Sequence, residues 1–160
     1  MNIFYLHKNP EKCAKMHCDK HVVKMILETA QILCTCHWKN NSKAPYKPTH
    51  QKHPCVLWAC ESIENYLGLG ELGLELCKEY THRYGKIHKS QKVIAWCYDH
   101  PPKLPRIKFS QPIQAMPERY KQKNAIKAYR EYYNGEKLSF AKWTKRKAPC
   151  WIKLNKIYIV

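Results

Sequence analysis

The chain has 160 residues, 44% of them hydrophobic, which is long enough to bury one core. Its formal net charge is +17, from 29 Lys and Arg against 12 Asp and Glu. That excess points to a polyanionic partner, because phosphate contacts supply most of non-specific nucleic-acid affinity. No run reaches transmembrane length, so a membrane partner is not expected. The nine cysteines are an odd number with no secretory signal ahead of them. They argue for free thiols in a reducing compartment, cytoplasm or nucleus, rather than a disulfide framework.

In chain order, Met1–His7 is short and apolar and reads as an extended lead-in strand or a buried arm. Asn9-Pro10-Glu11 marks a helix start, with Asn9 as cap and Pro10 in the first turn. Residues 16–36 carry one amphipathic helix, recapped by Asp19 after a break. In it Val22, Met25, Ile26, Thr29, Ile32 and Leu33 recur at helical spacing. The polar, proline-bearing stretch 39–52 is a loop, long enough to suggest function. His53-Pro54 opens the next helix, with Val56, Leu57, Cys60, Ile63 and Leu67 as its stripe. Gly68 and Gly70 are expected to break or kink it before it continues to Tyr84, with Gly85 as C-cap. A shorter helix covers 91–98, and the proline-rich stretch 100–117 is an ordered wrap or lid. Two short helices, 122–133 and 137–145, flank Asn134-Gly135, and the tail 151–160 has strand-like character. The pattern predicts an all-α fold in a single domain over 1–160.

Cys13, Cys34, Cys60 and Cys77 fall on apolar faces and read as small core residues. Cys13, His17 and His21 are spaced to seed a zinc site on one helix face. The glutamate of an HExxH motif is missing, and no CxxC pair exists, so no metal is expected. Glu28 is the stronger candidate for chemistry. It lies seven residues after His21, two turns on and nearly on the same side. A partly buried carboxylate there can act as general acid or base while an imidazole orients substrate. The competing reading is a surface Glu28–Lys24 pair at i,i+4, worth a few tenths of a kcal/mol.

Three segments taken together suggest a family: DKHVVKMILETAQIL (19–33), HPCVLW (53–58) and CKEYTHRYGK (77–86). Over residues 1–90 the chain resembles the pyrimidine-dimer DNA glycosylases, the superfamily of phage endonuclease V. The matching positions are Asp19, His21, Lys24, Glu28 and Gln31, then His53, Pro54 and Trp58. A second likeness, to phage and large-virus proteins, extends to QAMPERYK (114–121), AYREYY (128–133) and KWTKRKAPCW (142–151).

The first resemblance implies an all-α fold and base-excision chemistry without metal or cofactor. An N-terminal α-amine attacks the deoxyribose C1′, the base leaves, a Schiff base forms, and β-elimination nicks the strand. An α-amine titrates near pH 7.7–8.0 in model compounds, so a useful fraction is unprotonated at neutral pH. Glu28 matches the family's acid/base glutamate. The amine would be on Met1, or on Asn2 if the methionine is trimmed, and Asn2 is a poor context for trimming. Lys24 is a reserve nucleophile, because desolvation of a buried lysine favours the neutral amine.

His21, Gln31, His53, His50 and Asp19 are then expected to position substrate. Residues 119–153 hold eleven bases but only Glu131 and Glu136 as acids. Within them Lys127, Arg130, Lys142, Lys145, Arg146 and Lys147 are candidate phosphate contacts. Tyr129, Tyr132, Tyr133 and Trp143 interleave with them, either as stacking platforms or as core. The expected activity is a DNA glycosylase, with possible AP-lyase action, on damaged or modified pyrimidines in double-stranded DNA with a flipped nucleotide. Two alternatives remain: a non-catalytic nucleic-acid-binding protein, and an enzyme acting on RNA or a modified nucleotide.

Overall fold

The computed structural model describes residues 1–153. Six α-helices account for the regular structure among them: α1 (Pro10–Met16), α2 (Asp19–Lys39), α3 (Pro54–Cys60), α4 (Ile63–Tyr84), α5 (Gln91–Asp99) and α6 (Ala125–Glu136). One 3-10 turn covers Glu118–Tyr120, and no strand occurs among the described residues. The expected strand-like tail lies mostly outside them. No helix is long and apolar enough to cross a membrane.

The two long helices, α2 and α4, form the centre, with α1, α3 and α5 packed around them. Glycines on α4 permit close approach. A Cβ at Gly73 would stand 2.7 Å from the Thr29 methyl on α2, and one at Gly70 would stand 2.9 Å from the Tyr98 ring on α5. The expected break at Gly68 and Gly70 therefore does not occur. It falls earlier, at Ser62, whose hydroxyl accepts the Asn65 N–H at 3.0 Å and starts a new helix. Leu57, placed in the apolar stripe by its spacing, is 46% exposed because α3 is a separate short element.

Residues 1–7 form a buried extended arm, with Ile3, Phe4 and Leu6 in the core. Among the described residues the arm has no neighbouring strand, and side chains meet several of its backbone groups. Glu28 accepts the Asn2 N–H, and Cys13 Sγ lies 3.4 Å from both the Phe4 carbonyl and the Leu6 nitrogen. Arg130 Nε donates to the Leu6 carbonyl at 3.0 Å.

The wrap that follows α5 is ordered. Ile63 N–H donates to the Pro105 carbonyl at 2.9 Å. Ser110 is bonded to both Asn65 and the Trp58 indole. Helix α6 runs through Asn134-Gly135 to Glu136, and the helix expected over 137–145 is absent. There the chain gives its polar groups to the body of the protein. The Lys142 carbonyl accepts the Asp19 N–H, and Thr144 donates twice to the Asp19 carboxylate. Lys145 adopts φ 57°, which a helix does not allow.

Candidate active site

Glu28 lies mid-way along α2 on the side facing the arm and is 8% exposed. Its two carboxylate oxygens meet two different backbone nitrogens. Oε2 accepts the Asn2 N–H at 3.0 Å, and Oε1 lies 3.8 Å from the Met1 amine. Lys24 Nζ, one turn earlier, is also 3.8 Å from Oε1.

Asn2 is fixed from the far end of the chain. Its carboxamide donates to the Ala115 carbonyl at 2.9 Å and accepts from the Tyr129 hydroxyl at 2.9 Å. That hydroxyl also contacts the Ile113 carbonyl at 2.5 Å. The wrap and α6 thus lock the register of the arm against Glu28.

His53 is the N-cap of α3, where its Nδ1 accepts the Cys55 N–H at 3.1 Å. With Nδ1 used as acceptor, the neutral ring carries its proton on Nε2. Burial pushes this imidazole below its ordinary value, the N-terminal amine and His50 push the same way, and Glu28 opposes them. His53 therefore belongs to the same electrostatic neighbourhood as the amine and Glu28. Beside it, Pro48, Thr49, His50, Gln51 and Lys52 line an open depression of about 440 Å³. Gln31 is half-buried, one turn beyond Glu28 on α2. A larger cleft of about 840 Å³ is lined by Tyr5, Trp58, Phe109 and Lys108 among others. Neither Glu28 nor Met1 lines it.

Several expected site residues serve elsewhere. Lys24 is not the buried amine expected of a reserve nucleophile: its side chain is 68% exposed. His21 faces the core rather than the opening. Its ring stacks on Phe4 at 4.0 Å, and Nδ1 meets the Tyr133 hydroxyl at 2.6 Å. Burial, reinforced by His17, Lys137 and Lys24, pushes its pKa down to about 3, so the ring is neutral. It supports the arm through Phe4. Asp19 holds the C-terminal segment through Thr144 and pairs with Arg83 at 2.9 Å.

Among the candidate phosphate contacts, Arg146 forms a two-pronged pair with Glu79 at 2.9 and 3.0 Å. Arg130 is committed to Leu6 and to the Trp151 ring, with the guanidinium 5.3 Å from its centroid. Lys145 Nζ lies 3.3 Å from the His82 carbonyl. Lys127, Lys142 and Lys147 are exposed. Tyr129 and Tyr133 are core residues, and the Trp143 indole donates to the Met16 carbonyl at 2.9 Å. No stacking platform is formed by those three.

The site includes contributions that no sequence pattern announced. The Ala115 carbonyl acts through backbone alone, and spacing leaves Tyr129 open between a stacking platform and a core aromatic, neither of which is a hold on Asn2. Cys55 lies near the amine and Glu28, where burial pushes its thiol up to about 12, the amine opposes and Glu28 adds. Among the described residues no three His, Cys, Asp or Glu side chains converge to hold a metal ion. His17, the centre of the zinc pattern, instead directs Nδ1 to the Cys13 carbonyl at 2.7 Å.

The geometry thus places a buried glutamate, on a helical frame, against the backbone nitrogens of Met1 and Asn2. The family model for pyrimidine dimer DNA glycosylase matches residues 1–93, more than half of the chain, and the chain belongs to that family of DNA-repair enzymes. No curated protein and no solved structure matches the chain. The matched region contains Glu28, His53 and the arm. It ends inside α5, so the wrap and α6 that hold Asn2 lie beyond it.

Proposed function

We propose that the protein is a DNA glycosylase with AP-lyase activity on damaged or modified pyrimidines in duplex DNA. The observation that carries this reading is the double engagement of Glu28. With Met1 retained, the α-amine stands 3.8 Å from Oε1; with Met1 removed, the new α-amine is the Asn2 nitrogen, already 3.0 Å from Oε2. Either amine is at the carboxylate. The Met1 side chain is only 3% exposed, which favours the retained residue, since its removal would open a void.

The target nucleotide is extruded toward the Pro48–His53 depression, because its C1′ is out of reach inside the stack. The unprotonated amine attacks C1′ and the C1′–N bond breaks. Glu28 takes the amine proton and returns it to O4′ as the C1′–O4′ bond opens and the imine forms, while the departing base takes a proton from water. Loss of a C2′ proton then expels the 3′ phosphate by β-elimination. His53, with its proton on Nε2, is placed to donate to the substrate. Lys24 contributes charge beside Glu28, and Lys127, Lys142 and Lys147 contact phosphates. The segment beyond residue 90 completes the site by holding the arm.

Borohydride trapping on oligonucleotides with an abasic site or a cyclobutane pyrimidine dimer tests the reading. A covalent adduct is expected, lost on reductive methylation of the N-terminus. Glu28→Gln is expected to lower trapping by at least ~100-fold, with duplex binding retained because the amide oxygen still accepts from Asn2. Tight, lesion-independent binding with no adduct and no nicking would identify a binding protein instead. Turnover confined to RNA oligonucleotides would move the substrate class.

A further inference from the structure

Two cysteines outside the proposed chemistry are brought together by the helices that carry it. Cys36 lies on α2, eight positions beyond Glu28, and Cys60 is the last residue of α3, the helix that His53 caps. Their Sγ atoms are 2.7 Å apart and hydrogen-bonded. Cys36 is wholly buried, whereas Cys60 is half-buried, so a small solute reaches Cys60 first. The hydrogen bond to Cys36 is the largest influence on Cys60 and lowers its pKa; burial opposes this, and the Lys39 ammonium adds to it. The same contact and burial push Cys36 up. The pair is therefore asymmetric: the contact eases ionisation of the accessible Cys60 and opposes it at the buried Cys36.

We propose that Cys36 and Cys60 are an oxidation site, converted by a peroxide into an intramolecular disulfide that ties α2 to α3. The Cys60 thiolate attacks the peroxide oxygen, the O–O bond breaks, and Cys60 sulfenic acid and hydroxide form; the hydroxide takes up the proton that Cys60 released on ionising and becomes the first water. The Cys36 sulfur then attacks the sulfenic sulfur, the second water leaves with the Cys36 proton, and the S–S bond is made. Two thiols and one hydrogen peroxide give one disulfide and two waters. Reaching a bond of about 2.05 Å requires the sulfurs to close by about 0.7 Å from their 2.7 Å contact. The cross-link spans 24 positions and encloses the whole connector between α2 and α3, including His50 and His53. It depends on side-chain placement alone and stands apart from the glycosylase reading.

The fold supplies its own comparison. Cys34 and Cys97 form a second close pair at 3.6 Å, but both are completely buried. They lack the accessible first sulfur. Cys150 is exposed and is replaced in the test so that dimers do not interfere.

Folded Cys150→Ser protein is treated with graded hydrogen peroxide, quenched, denatured and alkylated, then analysed by intact mass and peptide mapping. Two thiols are expected to escape alkylation. A peptide containing Cys36 is expected joined to one containing Cys60, and dithiothreitol is expected to separate them. In a Cys60→Ala background, checked for helix content by circular dichroism, Cys36 is expected to stay alkylatable at the same dose. Cys60→Ser serves if the alanine variant does not fold. The proposal fails if Cys60 advances to sulfinic acid without a cross-link. It fails equally if both thiols survive a dose that oxidises Cys150 in the parent protein, or if the cross-link joins a different pair.

Discussion

Two buried histidines on neighbouring turns are kept uncharged, and this has a measurable cost in acid. His17 is wholly buried, with its pKa lowered to about 4; burial is the main cause, the Cys13 carbonyl opposes it, and Arg83 adds to it. His21 is lowered to about 3. The unfolded chain takes up these protons near pH 6.5, while the folded protein refuses them until near pH 4 and 3. Stability is therefore unaffected above pH 6.5 and falls as the pH drops below it. Each histidine is expected to remove on the order of 1–2 kcal/mol by pH 5. Urea denaturation at pH 7.5 and pH 5 measures the loss, and His17→Gln is expected to flatten the dependence. If the wild-type midpoint is unchanged between those pH values, the rings are not buried neutral as described. Glu28 is a different case at this scale: its value lies in geometry, with one oxygen for each of two nitrogens. Asp at position 28 would draw the carboxylate back by one methylene, and trapping is expected to fall for Glu28→Asp nearly as far as for Glu28→Gln.

At the scale of elements, periodicity located the long helices because they are amphipathic, and cap chemistry set several ends, though α2 starts after Cys18 without a side-chain cap and Asp19, expected to cap it, is its first helical residue. Asn9, His53 and Gly85 take the cap positions their residue types suggest. Gly85 has φ 68° and nothing within 4 Å of a built Cβ. Gly85→Ala is expected to cost about 1 kcal/mol from backbone strain alone. Gly73→Ala has the opposite origin: its Cβ would meet the Thr29 methyl at 2.7 Å, and overpacking predicts about 1–3 kcal/mol. Thermal melts of the two variants, compared with Gly73→Ala/Thr29→Ser, separate the mechanisms, since only the packing cost is relieved by the second change.

Gly68 and Gly70 do not break α4 but face the Phe109 and Tyr98 rings, and a glycine that admits a neighbour looks in one dimension like one that ends a helix. Residues 137–145 failed for a related reason, since their hydrogen bonds go to Asp19, far away in sequence. The places of Glu28 on the long helix and of His53 at the cap before Pro54 were legible from spacing and from the proline. The roles of Asp19, Arg130 and Arg146 were not, because a charged residue in sequence does not disclose whether its partner is a phosphate or a buried acid.

Across the whole molecule, one ionic cluster fastens the C-terminal segment to the helical body. Arg83, with its side chain fully buried, donates to Glu79, to Asp19 and to the Lys15 carbonyl, while Arg146 closes on both Glu79 oxygens. Burial works against the Glu79 charge, but the bonds from Arg146 and Arg83 outweigh it and hold the carboxyl below its usual range. Arg83→Met leaves Glu79 and Asp19 without their shared cation and is expected to cost about 3–5 kcal/mol, read as a fall in the denaturation midpoint. The charge left for nucleic acid is then smaller than the total suggests. Lys142→Ala and Lys147→Ala are each expected to reduce the salt slope of duplex binding by about 1 without altering lesion preference. Arg146→Ala should act mainly through stability.

The hold on Asn2 also sets an order of assembly during synthesis. Its partners Ala115 and Tyr129 lie 113 and 127 positions later. A nascent chain exposes its first residue long before the residues that house it have left the ribosome. The arm is therefore made early and fixed late, because the residues that bond it in place come from the other end of the described chain.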